Sequence, residues 1–451
     1  MRRLLPFILL LAAASSMALA EARFPSPDFT TGYKLPPTQK SAPASPVHQW
    51  IDMAVFAAAL GVGVWLIYYK RHRRSVFFLT LFSLLYFGFY RKGCICAVGS
   101  IQNVALGISD PLYVLPWGAA LVFFLPLVLT LFYGRVFCAG VCPLGAIQDV
   151  VLVKPLQVPN WLEQGLGLFA YIYLGLAVML AWVGSDFIIC RYDPFVGFFR
   201  RSGPPDIMVI GVVLLALSMF VGRFYCRFIC PLSVLFRLLS PLSWKKVTIT
   251  PDQCVDCRLC ETSCPFGAIR KPTPTSKPLP VSEGRGRLAA IMVLVPVLVV
   301  AFAWLGRRTA PIFSRADFTV QLADRIYLEE AGKVEGRTDA SKAYRDTGAP
   351  IEDLYQRARQ IEGRVFKGAG FFGAWVGLVV GLRLAVNAVR RRRVGYTTDP
   401  AGCVACARCF LSCPVEQYKR GLISEMPVAA DGSKPPEPPK PSKPQEQLVS
   451  A

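Results

Sequence analysis

The sequence predicts an α-helical polytopic membrane protein. Three observations predict it. The 451-residue chain is 53% hydrophobic, with a mean hydropathy of +0.43, too apolar for one soluble domain of that size. Its apolar residues gather into about seven stretches, each near the ~20 residues a bilayer crossing needs. Basic runs follow the first and the last of these stretches, and simple alternation puts both on the same side.

Residues 1–20 read as a signal peptide. Arg2 and Arg3 form the charged start, an apolar run follows, and Ala18-Leu19-Ala20 is the small-residue cleavage site. Residues 21–48 then start outside as a short periplasmic segment. The predicted spans are 50–69, 75–90, 115–133, 166–184, 206–222, 288–305 and 370–389. The second and fifth are short, so they tilt or borrow flanking residues. The loop Lys70-Arg71-His72-Arg73-Arg74 and the run Arg390-Arg391-Arg392-Arg393 fall inside, as the positive-inside rule asks. Arg91, Lys92, Arg191, Arg200 and Arg201 fall outside, against it. The 306–369 segment falls on the periplasmic side, with helical character over 318–330 and 350–366. A Pro-rich linker near 272–286 and the Pro-rich tail 423–451 need no fold.

The formal charge of +21 has two readings. Nucleic-acid binding is the less favoured, because membrane proteins collect Lys and Arg on their inner face. Only His48 and His72 are present, neither inside an apolar span, so paired axial haem histidines in the membrane are excluded. No Cys-x-x-Cys-His occurs, which argues against attached haem.

The 15 cysteines carry the chemistry. Cys254-x-x-Cys257-x-x-Cys260-x-x-x-Cys264-Pro265 is one run, and Cys403-x-x-Cys406-x-x-Cys409-x-x-x-Cys413-Pro414 is another. This is bacterial ferredoxin spacing for [4Fe–4S] clusters. Three close thiolates wrap one face of a cube, and the fourth, after a turn, reaches the other cluster. One cluster is therefore assigned to Cys254, Cys257, Cys260 and Cys413, the other to Cys403, Cys406, Cys409 and Cys264. Two zinc sites are the alternative, but zinc favours separated Cys-x-x-Cys pairs. The expected organisation is a membrane domain at 49–245, ferredoxin halves at 246–271 and 390–422, and spans 287–305 and 370–389 between them. The halves form one discontinuous cytoplasmic 2[4Fe–4S] ferredoxin-like domain.

A second repeat lies at the inner membrane edge. Gly134-Arg135-Val136-Phe137-Cys138-x-x-x-Cys142-Pro143-Leu144 matches Gly222-Arg223-Phe224-Tyr225-Cys226-x-x-x-Cys230-Pro231-Leu232 in register. Cysteines four apart share a helix face. Cys138, Cys142, Cys226 and Cys230 thus supply four thiolates, enough for a third site. The competing reading is structural cysteines beside a Gly-Arg membrane anchor. A weaker echo relates Cys96-Ala97-Val98-Gly99-Ser100-Ile101-Gln102-Asn103-Val104 to Cys142-Pro143-Leu144-Gly145-Ala146-Ile147-Gln148-Asp149-Val150. Cys94, Cys96 and Cys190 fall on the outer side, as a metal site with a non-cysteine fourth ligand or as a disulfide plus a free thiol.

The paired Gly-Arg-x-[Phe/Tyr]-Cys-x-x-x-Cys-Pro runs and the two quartets together resemble the membrane polyferredoxin family, which includes NosR-like and NapH-like proteins. The resemblance covers roughly residues 50–420. Glu329, Glu330, Thr338, Asp339, Ala343, Gly348 and Pro350 resemble the NosR-like branch. The resemblance implies [4Fe–4S] clusters and electron transfer that supports a periplasmic reductase. NosR-like proteins also carry a flavin domain before the first span. Residues 21–48 are too short for one, and no covalent-flavin motif occurs, so no covalent FMN is expected in this chain.

The expected function is membrane-bound electron transfer in the bacterial inner membrane, as a component of an oxidoreductase system and not a stand-alone enzyme. A soluble ferredoxin or quinol would donate, and a periplasmic reductase or flavin-binding protein would accept. Carriers at both membrane edges would shorten the steps across a hydrocarbon core ~30 Å thick. A maturation factor for a respiratory metal centre and a redox sensor are the alternatives. No catalytic triad or Walker loop is present.

Overall fold

The computed structural model describes residues 46–93, 95–247, 254–273, 281–388, 393 and 395–425. The signal peptide, nearly all of segment 21–48, most of the Pro-rich linker, Arg390 to Arg392, the tail beyond 425 and Cys94 lie outside the described residues.

All seven apolar stretches are helical. Among the described residues, four helices are long and apolar enough to cross a membrane: Val47–Lys70, Trp161–Val183, Glu283–Ser314 and Ile351–Asn387. Trp117–Tyr133 and Pro205–Phe220 are shorter apolar helices. The stretch at 75–90 divides into an α-helix, Arg73–Ser83, and a π-helix, Leu84–Tyr90. His72 starts it by accepting the Ser75 backbone N–H on its side chain, which satisfies one of the orphan donors of the first turn.

Three further helices lie between these elements and were not expected: Ala97–Ser109, Pro143–Val151 and Pro231–Leu239. Each begins directly after a cysteine, and Cys96, Cys142 and Cys230 occupy their N-cap positions. The last two start with proline, which suits the first helical position because its missing N–H would be unpaired there anyway.

The helices Val281–Ser314 and Ile351–Ala388 pack side by side and extend well past the predicted spans. Gly373, Gly377 and Gly381, four residues apart, face the backbone or Val295 of the neighbouring helix, the small-residue packing common between membrane helices. Beyond them sits a small helical cap made of Phe318–Glu330 and Asp339–Asp346. Its core is Val320, Ala323, Ile326, Leu354 and Ala358. Glu329 ties the cap together, accepting from Ser341 Oγ at 2.8 Å and pairing with Arg325 at 3.1 Å and Arg345 at 3.0 Å.

The two ferredoxin halves meet in one lobe. Ile269–Arg270 pairs antiparallel with Thr397–Thr398, and the short helices Leu259–Ser263 and Arg408–Ser412 lie against each other. The chain between the halves therefore returns to the side it left. The basic loop after the first span touches the same lobe: Arg71 pairs with Glu416 at 3.0 Å, and Arg73 donates to the Cys406 carbonyl at 3.3 Å.

Candidate iron–sulfur centres

The two quartets fold alike. Asp256 and Arg258 have left-handed backbone, with φ of 52° and 60°, and their counterparts Ala405 and Ala407 have φ of 53° and 59°. Non-glycine residues seldom adopt that conformation, so its recurrence at matched positions marks a wrap imposed on both runs. Burial, then the neighbouring Cys254, Cys257 and Cys413, push the Cys260 thiol up to about 11. Cys409 is raised by burial and then by Cys406, Cys403 and Cys264. Cys413 thus stands with the first run's three thiols, and Cys264 with the second run's three. Such crowded thiols suit a cationic core that takes their charge, because iron binds the thiolate.

The membrane pairs lie directly beneath this lobe. Cys138 packs with Cys264 and Cys403 against a buried cluster of Phe266, Ala268, Val404 and Cys406. Cys142 has Cys226, Cys138 and Cys230 as its thiol neighbours, so all four membrane-edge cysteines come together. Gln148 Nε2 donates to Cys226 Sγ at 3.2 Å.

The repeated arginines are not solvent-facing anchors. Arg135 and Arg223 are 3% and 1% exposed. Arg135 donates to the Ala401 carbonyl at 3.0 Å and to Ser233 Oγ at 2.8 Å, with its Nη2 4.0 Å from Cys138 Sγ. Arg223 donates to the Cys138 carbonyl and to Ala139 O, and pairs with Asp149 at 2.9 Å. Asp149, fully enclosed, also pairs with Arg73 at 3.1 Å and lies 3.9 Å from Arg408. One carboxylate so joins the first basic loop, both membrane runs and the second quartet. An enclosed charge persists only when paired in this way. At Gly222 the lobe and the membrane run touch: a Cβ there would lie 2.6 Å from the Pro265 carbonyl oxygen.

The remaining thiols require a revision. Carriers were expected at opposite membrane edges, yet Cys96 and Cys142 line one pocket, with Phe137, Asp193 and Phe199 around them. Past Tyr90 the chain leads into the Ala97–Ser109 helix, and Cys96 at its start lies in the same pocket as Cys142. Cys190 stands beside it: both sulfurs approach Gly99. Asp193 is buried and near Cys96, and accepts from the Phe195 and Val196 backbone N–H groups. Cys96 and Cys190 are both free thiols, not a disulfide. Among the described residues, no three His, Cys, Asp or Glu side chains converge on a single-ion site. The two lobe sets and the membrane-edge set are groups of four, the number of cysteines that holds a cluster, whereas Cys96 and Cys190 are two described thiols with Asp193 nearby.

Two signals went unused in the sequence. Gln148 and Asp149 stand inside the quoted repeat, but Cys226, which Gln148 meets, is 78 residues away and Arg223, which Asp149 meets, is 74. The motif Glu329 to Pro350 marks the fold of the cap: Glu329, Thr338 and Ser341 bond one another.

A 4Fe-4S binding domain family matches residues 115–159 and 204–250, and a second family of the same description matches 246–269. The first match spans both membrane runs, so the Cys-x-x-x-Cys-Pro pairs lie within segments similar to a 4Fe-4S binding domain. Among curated relatives, YccM of Escherichia coli K12, named as a candidate electron transport protein, is 27% identical over 118 residues, covering 24% of this chain and 33% of YccM. NirI of Paracoccus denitrificans is 31% identical over 124 residues, 26% of this chain and 18% of NirI. An uncharacterised protein of Methanocaldococcus jannaschii is 32% identical over 97 residues, 21% of this chain and 40% of that protein. The chain therefore spans less than half the length of each of these relatives. No solved structure matches it significantly. The matched domains on both membrane runs and the first quartet, the apolar helices around them and the likeness to YccM and NirI together support a membrane polyferredoxin-like family of 4Fe–4S-binding proteins.

Proposed function

We propose that the chain conducts electrons between the two faces of a bacterial inner membrane. The observation that carries this reading is the series of touching thiol sets. The lobe sets meet Cys138 across Phe266 and Val404. Cys138, Cys142, Cys226 and Cys230 come next, and Cys142 shares a pocket with Cys96. Bound [4Fe–4S] clusters supply one-electron carriers with potentials set by the surrounding hydrogen bonds and charge. The protein's own part is to hold them in order and keep them from water.

In this reading Cys254, Cys257, Cys260 and Cys413 hold one cluster, and Cys403, Cys406, Cys409 and Cys264 the second. Cys138, Cys142, Cys226 and Cys230 hold a third, and Cys96 and Cys190, with Cys94, an outer centre. The lobe faces the cytoplasm, as the basic runs beside it favour. A soluble ferredoxin or quinol donates, and a periplasmic reductase or separate flavoprotein accepts. YccM's name supports electron transport as the activity.

A deletion strain tests the reading against its rivals. A partner reductase that keeps its own metal but receives no electrons supports conduction. A reductase lacking its metal would make the chain a maturation factor, and a change confined to transcription would make it a sensor.

A further inference from the structure

The two membrane thiol sets are built to one plan. Cys142 caps the Pro143–Val151 helix, and six residues later Gln148 turns its amide to the Phe224–Phe228 helix. Its Oε1 accepts the Tyr225 N–H at 3.0 Å, and its Nε2 donates to the sulfur of the next residue, Cys226, at 3.2 Å. Cys96 likewise caps the Ala97–Ser109 helix, and six residues later Gln102 turns to the Ile188–Arg191 helix. Its Oε1 accepts the Ile189 N–H at 2.9 Å, and the next residue is Cys190.

The match stops at the amide nitrogen, which in Gln148 also donates to the Leu144 carbonyl at 2.7 Å. Gln102 is 0% exposed, yet its Nε2 has no hydrogen-bond partner among the described residues. A buried amide left unpaired is costly, so such an atom calls for an explanation. Gln102 cannot turn its amide round without losing the bond to Ile189. The Cys190 sulfur is nearby: on the same helix, one turn before Gln102, a Cβ at Gly99 would lie 2.9 Å from it. Glycine at 99 is what lets this helix approach the thiol.

We propose that Gln148 and Gln102 are matched positioning residues, each donating its amide N–H to one ligand thiolate, Cys226 and Cys190 respectively, and each raising the potential of its own centre. This rests on the reading that both thiol sets hold iron–sulfur centres. A donor stabilises the thiolate more as the centre gains an electron, because the sulfur then carries more negative charge. Removing the donor therefore shifts the midpoint to more negative potential.

The test is an EPR-monitored redox titration of the detergent-purified full chain, with iron counted in parallel. Gln148→Leu should shift one centre to more negative potential, Gln102→Leu a different one, and neither should move the lobe centres or the iron content. Gln148→Glu and Gln102→Glu keep the side-chain shape and the acceptor oxygen. They should give shifts of the same sign and larger size, and they serve as the readout if the leucine variants fold poorly. Unmoved midpoints, or both glutamines moving the same centre, would overturn the proposal. The underlying reading fails separately, in an iron content unchanged by Cys138→Ser with Cys226→Ser and by Cys96→Ser with Cys190→Ser.

Discussion

The ferredoxin lobe and the membrane thiol sets solve one problem in opposite ways. In the lobe, three thiols of each set of four come from one stretch of seven residues, and the wrap is set by local backbone at Asp256, Arg258, Ala405 and Ala407. In the membrane, thiols from runs about ninety residues apart are brought together by tertiary contacts. There the work falls to Arg135, Arg223, Asp149 and Gln148, all buried. The lobe leaves Cys254 and Cys257 exposed, whereas Cys142 and Cys230 are enclosed. The difference teaches where each site is vulnerable. A ligand change should harm the lobe locally, but a change to a non-ligand should harm the membrane site.

Cross-ligation gives the largest effect on the lobe side of the comparison. Cys413→Ser should abolish the EPR signal of the same cluster as Cys254→Ser, with a loss of about four irons each. Loss of the cluster that Cys403→Ser removes would instead make each run ligate its own cube. On the membrane side, Asp149→Asn leaves Arg73, Arg223 and Arg408 without their shared carboxylate. A buried pair broken from one side costs about 3–5 kcal/mol, so the thermal midpoint should fall and proteolysis of the lobe should accelerate. An unchanged midpoint would remove Asp149 from the account.

Gly222→Ala tests the seam between the two regions. Its Cβ would meet the Pro265 carbonyl, and overpacking of that kind costs about 1–3 kcal/mol. The expected outcome is a loosened lobe, read as faster hydrogen exchange over 254–273, with the helices at 160–183 unaffected.

The smallest effect is a pH dependence confined to the lobe without iron. Burial and neighbouring thiols push Cys260 up to about 11 and burial pushes Cys403 up to about 12. The folded apo lobe then holds these protons more tightly than the unfolded chain, whose cysteines lose them near 8.5. Their contribution to stability is complete below that value and is lost as pH rises towards 11 to 12. Denaturation of the iron-free chain should therefore become easier across this window, while the iron-loaded chain, its thiolates already deprotonated, should not show that slope.

What could be read from the sequence follows the same division. The quartets and the paired Cys-x-x-x-Cys-Pro runs announce themselves by spacing, because their geometry is local. The Ala97–Ser109, Pro143–Val151 and Pro231–Leu239 helices did not, since 13, 9 and 9 residues are too few to register as spans. Missing the first of them hid that Cys96, at its start, shares a pocket with Cys142. The anchor alternative for the Gly-Arg arginines stayed open in the sequence because Asp149, which pairs with Arg223, is 74 residues distant. Periodicity shows which residues are apolar, but not which buried charge meets which.

The central claim is that the membrane cysteines hold iron of their own, in series with the lobe. It is tested most directly by the iron content of the purified chain, compared with a Cys138→Ser, Cys226→Ser double variant. Two lobe clusters account for about eight irons. The account predicts more than eight in the unaltered chain, and a fall of about four in the double variant with the lobe's EPR signals intact. About eight irons in both proteins, with identical spectra, would contradict it.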